Sequence, residues 1–412
     1  MARRRVVNAW AAAAEWTADR TAGIRARARP ATSVVTPTAW VAFALALAAL
    51  PLSFVLNWVE LAAAAWLVAA LGAVCVVFVL GTHQLTARLS LGRDRIVVGE
   101  DAHGTLALTN ESRQRTLPLL IELAVGGGKT GFELPSLAGG AEHEDLFRIP
   151  TTRRAVLIVG PVRAVRADPI GLLRREQDLT EDQLLYVHPR TVAVEGSASG
   201  IMRDLEGRTV RKLSDNDVAF HALRGYVPGD DRRFIHWKST ARTGTLMVRQ
   251  FEETRRSHML IATSTRLDDY ATDDEFELAI SVAGSLAVQA LRDDQTLTTV
   301  TSTRQLRKGT PRHLLDQLSG VEYERQAPTL ATVARRLARE ETGASIAIFI
   351  CGSIVDLAEL RRARRFMPLD VRTIVVRAEV GSDAEVRPMG DLDLVKLGRL
   401  DDLGPTIRRL VT

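Results

Sequence analysis

The chain has 412 residues, enough for two or three domains, and a formal net charge of +5. Its two cysteines are too few for a disulfide framework or a zinc site with paired cysteines. Arginine is interspersed with aspartate and glutamate, and only 5% of the residues are aromatic, so the composition argues against a nucleic-acid partner.

Residues 1–37 form a basic segment ahead of the first apolar stretch. Its arginines are Arg3, Arg4, Arg5, Arg20, Arg25, Arg27 and Arg29. Two interpretations stay open for this segment, a surface helix drawn to anionic lipids or a disordered basic tail.

Residues 38–81 contain two apolar stretches, Trp40–Val59 and Leu61–Leu80, with Glu60 between them. Each is long enough to cross a hydrocarbon core of about 30 Å, and so short a connection predicts an antiparallel helical hairpin. Gly72 and many alanines favour close packing of the two helices. Because leading arginines stay on the cytoplasmic side, we expect a multi-pass protein of the bacterial inner membrane with both termini in the cytoplasm.

Residues 83–190 show short alternating runs that are typical of strands. Examples are Thr105–Thr109, Leu119–Ala124 and Ala155–Val159, separated by turn signals such as the glycines at 126–128. Several short strands at this spacing predict a β-sandwich of the immunoglobulin type. The region offers no acid–base or metal constellation, so we interpret it as a structural or interaction module.

Residues 191–255 hold the most unusual motif of the chain. A proline–glycine–aspartate turn leads into a short predicted helix and then a strand. The residues that we single out, which we call the signature, are Arg224, Tyr226, Pro228, Gly229, Asp230, Arg233, Ile235, His236, Trp237, Lys238, Ala241 and Arg242.

The charges of the signature allow two main interpretations. Arginine forks suit carboxylate or phosphate partners, so the basic residues either form an internal ion-pair network or bind an acidic peptide or another anion. Catalysis is a third interpretation, with His236 and Asp230 as the acid–base candidates. It lacks support from a nucleophile elbow, because the chain has no Gly-x-Ser-x-Gly motif.

Residues 256–412 alternate between buried strands and amphipathic helices. Strands are predicted at Met259–Thr263, Leu297–Thr301, Ile346–Ile350, Val371–Val376 and Leu394–Leu397. Helices are predicted for a run from Phe276 to Leu291, preceded by Asp273-Asp274, and over Leu330–Glu340, Val355–Phe366 and Leu400–Leu410. This alternation is typical of an α/β domain with a parallel sheet.

The signature closely resembles that of the bacterial domain-of-unknown-function family 58 (DUF58). The runs Arg153-Arg154-Ala155, Gly160-Pro161-Val162 and Asp168-Pro169-x-Gly171-Leu172 resemble the same family. The resemblance implies two membrane helices, a β domain and a von Willebrand factor type A-like α/β domain. It also implies work beside a MoxR-type AAA+ ATPase, since family members are often encoded next to such ATPases and transglutaminase-like membrane proteins.

The resemblance to a von Willebrand factor type A domain raises the question of a metal. That fold often binds Mg²⁺ through an Asp-x-Ser-x-Ser loop, whereas this chain has Ala262 and Arg266 at the first and last of those positions. Ser264 alone is a poor ligand set for a hard cation. We therefore expect no metal, no cofactor and no small-molecule substrate.

Three functions are weighed on these grounds. The leading hypothesis is a membrane-anchored, non-enzymatic scaffold with a cytoplasmic protein-interaction domain. The alternatives are a hydrolase acting on an envelope precursor and a metal-dependent adhesion-type binding module.

Overall fold

The computed structural model describes residues 34–79, 84–168, 170–194, 213–214, 219–252, 258–340 and 343–410. The basic N-terminal segment, apart from its last four positions, lies outside the described residues. The chain divides into two compact units. The first comprises Met1–Asp94, Asp101–Pro150 and Leu157–Leu185, and the second comprises Arg95–Glu100, Thr151–Val156 and Tyr186–Thr412.

The first unit begins with two apolar helices, α1 (Pro37–Leu56) and α2 (Val59–Val79). The side chain of Thr36 caps α1, and Asn57 ends it in the left-handed conformation. A Cβ atom at Gly72 would lie 2.7 Å from the Phe43 ring, so the lack of a side chain there permits close contact between the helices. The predicted pair of apolar helices is confirmed, with each helix beginning two or three residues earlier than predicted.

Nine strands follow the helices. They are β1 (Leu85–Leu91), β2 (Arg95–Val97), β3 (Asp101–Asn110), β4 (Leu119–Val125), β5 (Gly128–Leu134), β6 (Glu142–Pro150), β7 (Ala155–Ala167), β8 (Arg174–Asp178) and β9 (Gln183–His188). In one sheet β3 lies between β1 and β6, and in another β4 lies between β5 and β7, with β8 on the far side of β7; all these pairs are antiparallel. β2 pairs with β9 in parallel.

The two antiparallel sheets meet through their apolar faces. Alternate residues of β3 are buried, including Leu106 and Leu108, as expected for a strand with one face in a core. The rings of Phe132 on β5 and Phe147 on β6 lie 6.4 Å apart between centroids. The immunoglobulin type of this β region stays a prediction.

The second unit contains a small sheet and a larger α/β portion. The small sheet has the order β10 (Leu213–Ser214), β12 (Met247–Glu252) and β11 (Ala219–Gly225), with helix α3 (Trp237–Thr243) in the connection between β11 and β12. The α/β elements are β13 (His258–Thr263), α4 (Asp273–Arg292), β14 (Thr296–Thr301), α5 (Pro311–Ser319), α6 (Leu330–Glu340), β15 (Ile346–Gly352), α7 (Leu357–Phe366), β16 (Arg372–Ala378), β17 (Glu385–Met389), β18 (Leu392–Leu397) and α8 (Leu403–Arg409).

The large sheet has the strand order β14-β13-β15-β16-β18-β17. Its strands are parallel except for β17, which pairs antiparallel with β18 at one edge and contains Pro388. The buried residues form two cores, one that includes α4, α5 and α8 and one that includes α6 and α7. Alternate residues of β13 contribute to different cores, so the sheet lies between two helical layers. The predicted parallel α/β sheet is thereby confirmed in its coarse form.

Arg154, in the stretch Thr151–Val156 of the second unit, contacts the end of α5. Its side chain is 4% exposed and its guanidinium donates to the carbonyl oxygens of Leu318, Ser319 and Val321. Its Nε lies 3.1 Å from a carboxylate oxygen of Glu277. Arginine thus satisfies the carbonyl groups that the end of α5 leaves without helical partners.

We expect Arg154→Ala to lower the free energy of unfolding by about 3 kcal/mol, because it leaves the half-buried Glu277 carboxylate and several buried carbonyls unpaired. Arg153→Ala is a matched control, since the Arg153 side chain is 60% exposed and pairs with Asp273 at the surface. Removing that pair should change stability much less, because solvent screens an exposed ion pair. Denaturant unfolding of the full chain in detergent measures both, and equal effects would contradict the role given to Arg154.

Candidate functional site

The signature lies in an antiparallel hairpin whose strands are joined by a long insertion. Arg224 on β11 is opposite Val248 on β12, and Gly225 is opposite Met247. Residues 226–246 therefore leave and re-enter the sheet at neighbouring positions. Six basic and two acidic side chains occur between positions 224 and 249, so this segment is strongly cationic.

The insertion is held at its base by an ion pair between Arg224 and Asp230. Both guanidinium nitrogens, Nη1 and Nη2, donate to the carboxylate at 2.7 Å. The Val227 N–H also donates to Asp230 Oδ2 at 2.9 Å. The Arg224 guanidinium and this amide hold the pKa of the Asp230 carboxyl below its ordinary value. Gly229 accommodates the turn between them at a φ of +115°.

Two caps then organise the insertion. Asp231 Oδ1 accepts a hydrogen bond of 2.9 Å from the Arg233 N–H and begins a single 3₁₀ turn over Arg232–Phe234. His236 caps α3, since its Nδ1 accepts the Ser239 N–H and lies 2.7 Å from Ser239 Oγ. The N-cap position of α3 is thus filled by His236, and the two aspartates lie in the turn before it.

The catalytic interpretation requires His236 and Asp230 to act as an acid–base pair, so their hydrogen-bond partners matter. Asp230 is bonded to Arg224 and Val227, and His236 to Ser239 three residues ahead in the same helical turn. None of the described hydrogen bonds brings the imidazole and the carboxylate together. The His236–Ser239 contact is an N-cap, which satisfies a backbone N–H in the first turn of α3.

The solvent-facing side of α3 carries four signature residues, Trp237, Lys238, Ala241 and Arg242, all exposed. Because positions four apart lie one above the other on a helix, Trp237 stacks over Ala241 and Lys238 over Arg242 in two adjacent rows. We call this surface the α3 face. The Trp237 side chain is 66% exposed, an unusual position for the largest apolar residue.

The twelve signature residues thus fall into two sets. The first set builds the insertion and is buried or half-buried: Arg224, Tyr226, Asp230, Ile235 and His236. Pro228 and Gly229 are exposed but form the turn within this set. Exposed residues are Arg233, Trp237, Lys238, Ala241 and Arg242. The ion-pair interpretation therefore applies to Arg224 and Asp230 at the base of the insertion. The anion-binding interpretation applies to the solvent-facing cations beyond them.

Thr240 joins α3 to β12 and was not among the residues singled out from the sequence. Its Oγ1 accepts the Met247 N–H at 3.0 Å, and the His236 N–H donates to the Met247 carbonyl at 2.8 Å. Ile235 and Val248 are buried beside these bonds in a β-bridge. The sequence signals this role only by small polar residues, Ser239 and Thr240, between Lys238 and Ala241, and it does not say which of the two makes the bond.

The carboxyl ends of β13 and β15 form the switch point of the large sheet, where open α/β folds commonly bind ligands. Here the chain fills that position with its own groups. Ser264 Oγ donates to Asp269 Oδ2 at 2.5 Å, and the N–H and Oγ of Ser353 donate to the buried Glu275 carboxylate. The backbone of Asp269 packs directly against Gly352.

This switch point contains the positions compared above with a metal-binding loop. Ala262 is buried, and the Arg266 guanidinium lies 3.0 Å from Asp268 Oδ2. Burial raises the pKa of the Asp269 carboxyl, although its hydrogen bond with Ser264 acts in the opposite direction. Within the described ranges, no three or more His, Cys, Asp or Glu side chains are grouped so that they could hold a metal ion.

Comparisons with known proteins agree with the resemblance carried by the signature. Residues 222–396 match the family described as protein of unknown function DUF58. A stretch of 134 residues is 26% identical to the uncharacterized protein YeaD of Bacillus subtilis (strain 168), covering 32% of each chain. The aligned region thus spans about a third of that curated relative. Both matches support the DUF58 family.

Several solved structures resemble parts of the chain. They include the CARDB domain of the PF1109 protein from Pyrococcus furiosus (15% identity, 26% of this chain and 88% of that one, TM-score 0.20) and the putative ApaA protein from Bordetella pertussis (15%, 27% and 99%, 0.20). Spo0M, a sporulation control protein from Bacillus subtilis, is 13% identical over 36% of this chain and 58% of that one, with a TM-score of 0.17. TM-scores of this size carry no argument about fold or function.

We expect the turn at Val227–Asp230 to loosen in acid. A carboxyl whose pKa is lowered on folding contributes stability above its unfolded pKa of about 3.9, and this contribution is lost as the pH falls through the lowered folded value. Amide exchange of Val227, corrected for the intrinsic rate at each pH, should therefore accelerate below pH of about 4. Asp230→Asn should show fast exchange at every pH, and a pH-dependent step in that variant would contradict the assignment.

We expect His236→Ala to accelerate amide exchange throughout α3, because the variant loses a cap contributing about 1 kcal/mol. His236→Asn should restore slow exchange, since asparagine is a favoured N-cap. Exchange measured by mass spectrometry on the full chain tests both. If neither variant changes the exchange of α3, the capping role of His236 is wrong.

Proposed function

We propose that the chain is a membrane-anchored, non-enzymatic scaffold that binds an acidic protein partner through the α3 face. The observation that carries the proposal is the exposed Trp237 beside two exposed cations, Lys238 and Arg242, on a helix whose two ends are held by hydrogen bonds. Tryptophan and arginine are the residues that most often dominate protein interfaces. A MoxR-type AAA+ ATPase is the candidate partner.

Membrane anchoring is supported by how little of α1 and α2 is buried. The most apolar window of each helix, Pro37–Leu56 and Val59–Val76, has only 11% and 17% of its residues buried. Large side chains such as Phe54 and Val55 are 80% exposed. A helix in the core of a soluble protein would bury such groups, whereas lipid tails would cover them. The arginines of the leading segment favour the cytoplasmic side for both termini.

The domain types that the resemblance implies belong to the same proposal. The two antiparallel sheets of the first unit support an immunoglobulin-like module. The parallel strands covered by helices on both faces support a von Willebrand factor type A-like domain, with its ligand position occupied by Asp269 and Glu275. A domain of that kind would act in binding, which agrees with a scaffold.

The chemistry of the α3 face favours a protein with an acidic, partly apolar surface. Lys238 and Arg242 would pair with carboxylates, and Trp237 would fill an apolar pocket beside them. Charged groups of this kind accelerate association and make it sensitive to salt. The Arg224–Asp230 pair keeps the insertion in place and so reduces the entropy lost on binding.

The proposal is tested with the purified full chain in detergent and a MoxR-type ATPase from the same organism. Lys238→Glu/Arg242→Glu and Trp237→Ala should each weaken binding by tenfold or more, equivalent to about 1.4 kcal/mol. The matched control is Arg361→Glu/Arg365→Glu, which reverses two exposed charges at the same spacing on α7. Binding is measured as a Kd at two salt concentrations.

Three results would count against the proposal. If the wild-type chain does not bind the ATPase, that partner is wrong. If the α7 control weakens binding as much as the α3 variants, the effect is one of net charge and the α3 face is not the site. If the α3 variants instead lose affinity for anionic vesicles while keeping the protein partner, the α3 face binds lipid.

A further inference from the structure

The chain that enters α1 is paired directly with the turn between β7 and β8. Val35 and Leu173 form an antiparallel bridge. The Thr36 N–H donates to the Leu172 carbonyl at 3.0 Å, and the Arg174 N–H donates to the Val34 carbonyl at 2.7 Å. The first apolar helix therefore starts from a short piece of sheet that belongs to the β region of the same unit.

The same turn also packs against α2. Leu173 and Cys75 are buried together, with Val34, Val35 and Leu172 around them. Asp168 fixes the turn from inside, because its carboxylate accepts the N–H groups of Ile170 at 3.0 Å and Leu173 at 2.5 Å. We call the described residues of this turn, 168 and 170–173, the helix-side turn.

The position of Cys75 gives the depth of the helix-side turn. Cys75 lies four residues before the end of α2 at Val79, which is about 6 Å inside the end of the helix at 1.5 Å per residue. The two helices have 20 and 21 residues, and that length matches a hydrocarbon core of about 30 Å. Leu173 consequently lies at the boundary between acyl chains and headgroups once the helices span a bilayer.

Ile170, at the tip of this turn, is 57% exposed, in contrast to the buried Leu173. An apolar side chain at headgroup level gains from entering the outer part of the acyl region, where interfacial segments commonly insert by about 5–10 Å. The turn is bonded to the start of α1 and packs on α2, and both helices leave most of their apolar residues exposed, so lipid is the occupant that fits.

We propose that the helix-side turn is a lipid-binding element and that Ile170 inserts into the bilayer beside the two helices. This inference rests on the membrane anchoring proposed above. It adds a third point of attachment, so that the β region is held against the membrane by its own turn and not only by the chain connecting it to α2.

The test uses the full chain in phospholipid vesicles with an environment-sensitive fluorophore on a single added cysteine. The positions are Ile170→Cys, Phe54→Cys as a site within α1, and Leu146→Cys as an apolar site on β6 that is 80% exposed, like Phe54. The unlabelled background is the wild-type chain, whose two cysteines are buried. Quenching is measured with lipids that carry a nitroxide on the acyl chain and with aqueous iodide.

The expected result is at least twofold stronger lipid quenching at 170 and 54 than at 146, with iodide quenching in the reverse order. If position 54 is quenched by lipid and position 170 behaves like 146, the inference is wrong and the membrane anchor stands. A label at 170 that is shielded from both quenchers indicates a protein contact and overturns the inference too. If position 54 is not quenched by lipid, the anchor itself fails, and the inference with it.

Discussion

The Arg224–Asp230 ion pair is the interaction on which the candidate site depends. It closes a connection of 21 residues, 226–246, onto the end of one strand, and it does so with two hydrogen bonds of 2.7 Å in parallel. A fork of this kind fixes direction as well as distance, which a lysine could not do. The pair itself is at the base of the insertion, so the exposed cations beyond it remain available to a partner.

The caps at Asp231 and His236 extend this arrangement outward. A helix of seven residues is too short to persist by its own propensity, so α3 depends on its ends. His236 satisfies the first turn, Gly244 ends the helix in the left-handed conformation, and Thr240 ties it to β12. The α3 face is consequently presented by a rigid element although it lies in a connection between strands.

Much of the fold was predictable because its signals are local. The two apolar helices stand out by length, and the bounds of α6 coincide with the predicted ones since its apolar residues keep a helical spacing throughout. Helix α5 was missed, as its nine residues have few apolar positions, and β17 was missed because Pro388 and two charged residues hide its alternation. The antiparallel pairing of β17 with β18 is itself local, because only Gly390 and Asp391 separate Met389 from Leu392, and Gly390 has a φ of +71°.

The candidate site was located by its residue pattern, but the roles within it were not separable from sequence. Arg224 and Arg242 are the same residue type near the same aspartates, and only the folded hairpin shows that the first is paired and the second exposed. The same holds for Ile235 and Trp237, two apolar residues two positions apart with opposite burial. Which side of a short helix faces the sheet is decided by Thr240 and Met247, a contact seven residues apart.

The outer strand β17 has a consequence for encounters between copies of the chain. Strands at the border of a sheet can recruit a second chain through their unpaired backbone groups. Pro388 removes one amide donor from this border, and Glu385 and Arg387 place charges beside it. The α/β portion can therefore be crowded among its own copies without joining them into a continuous sheet.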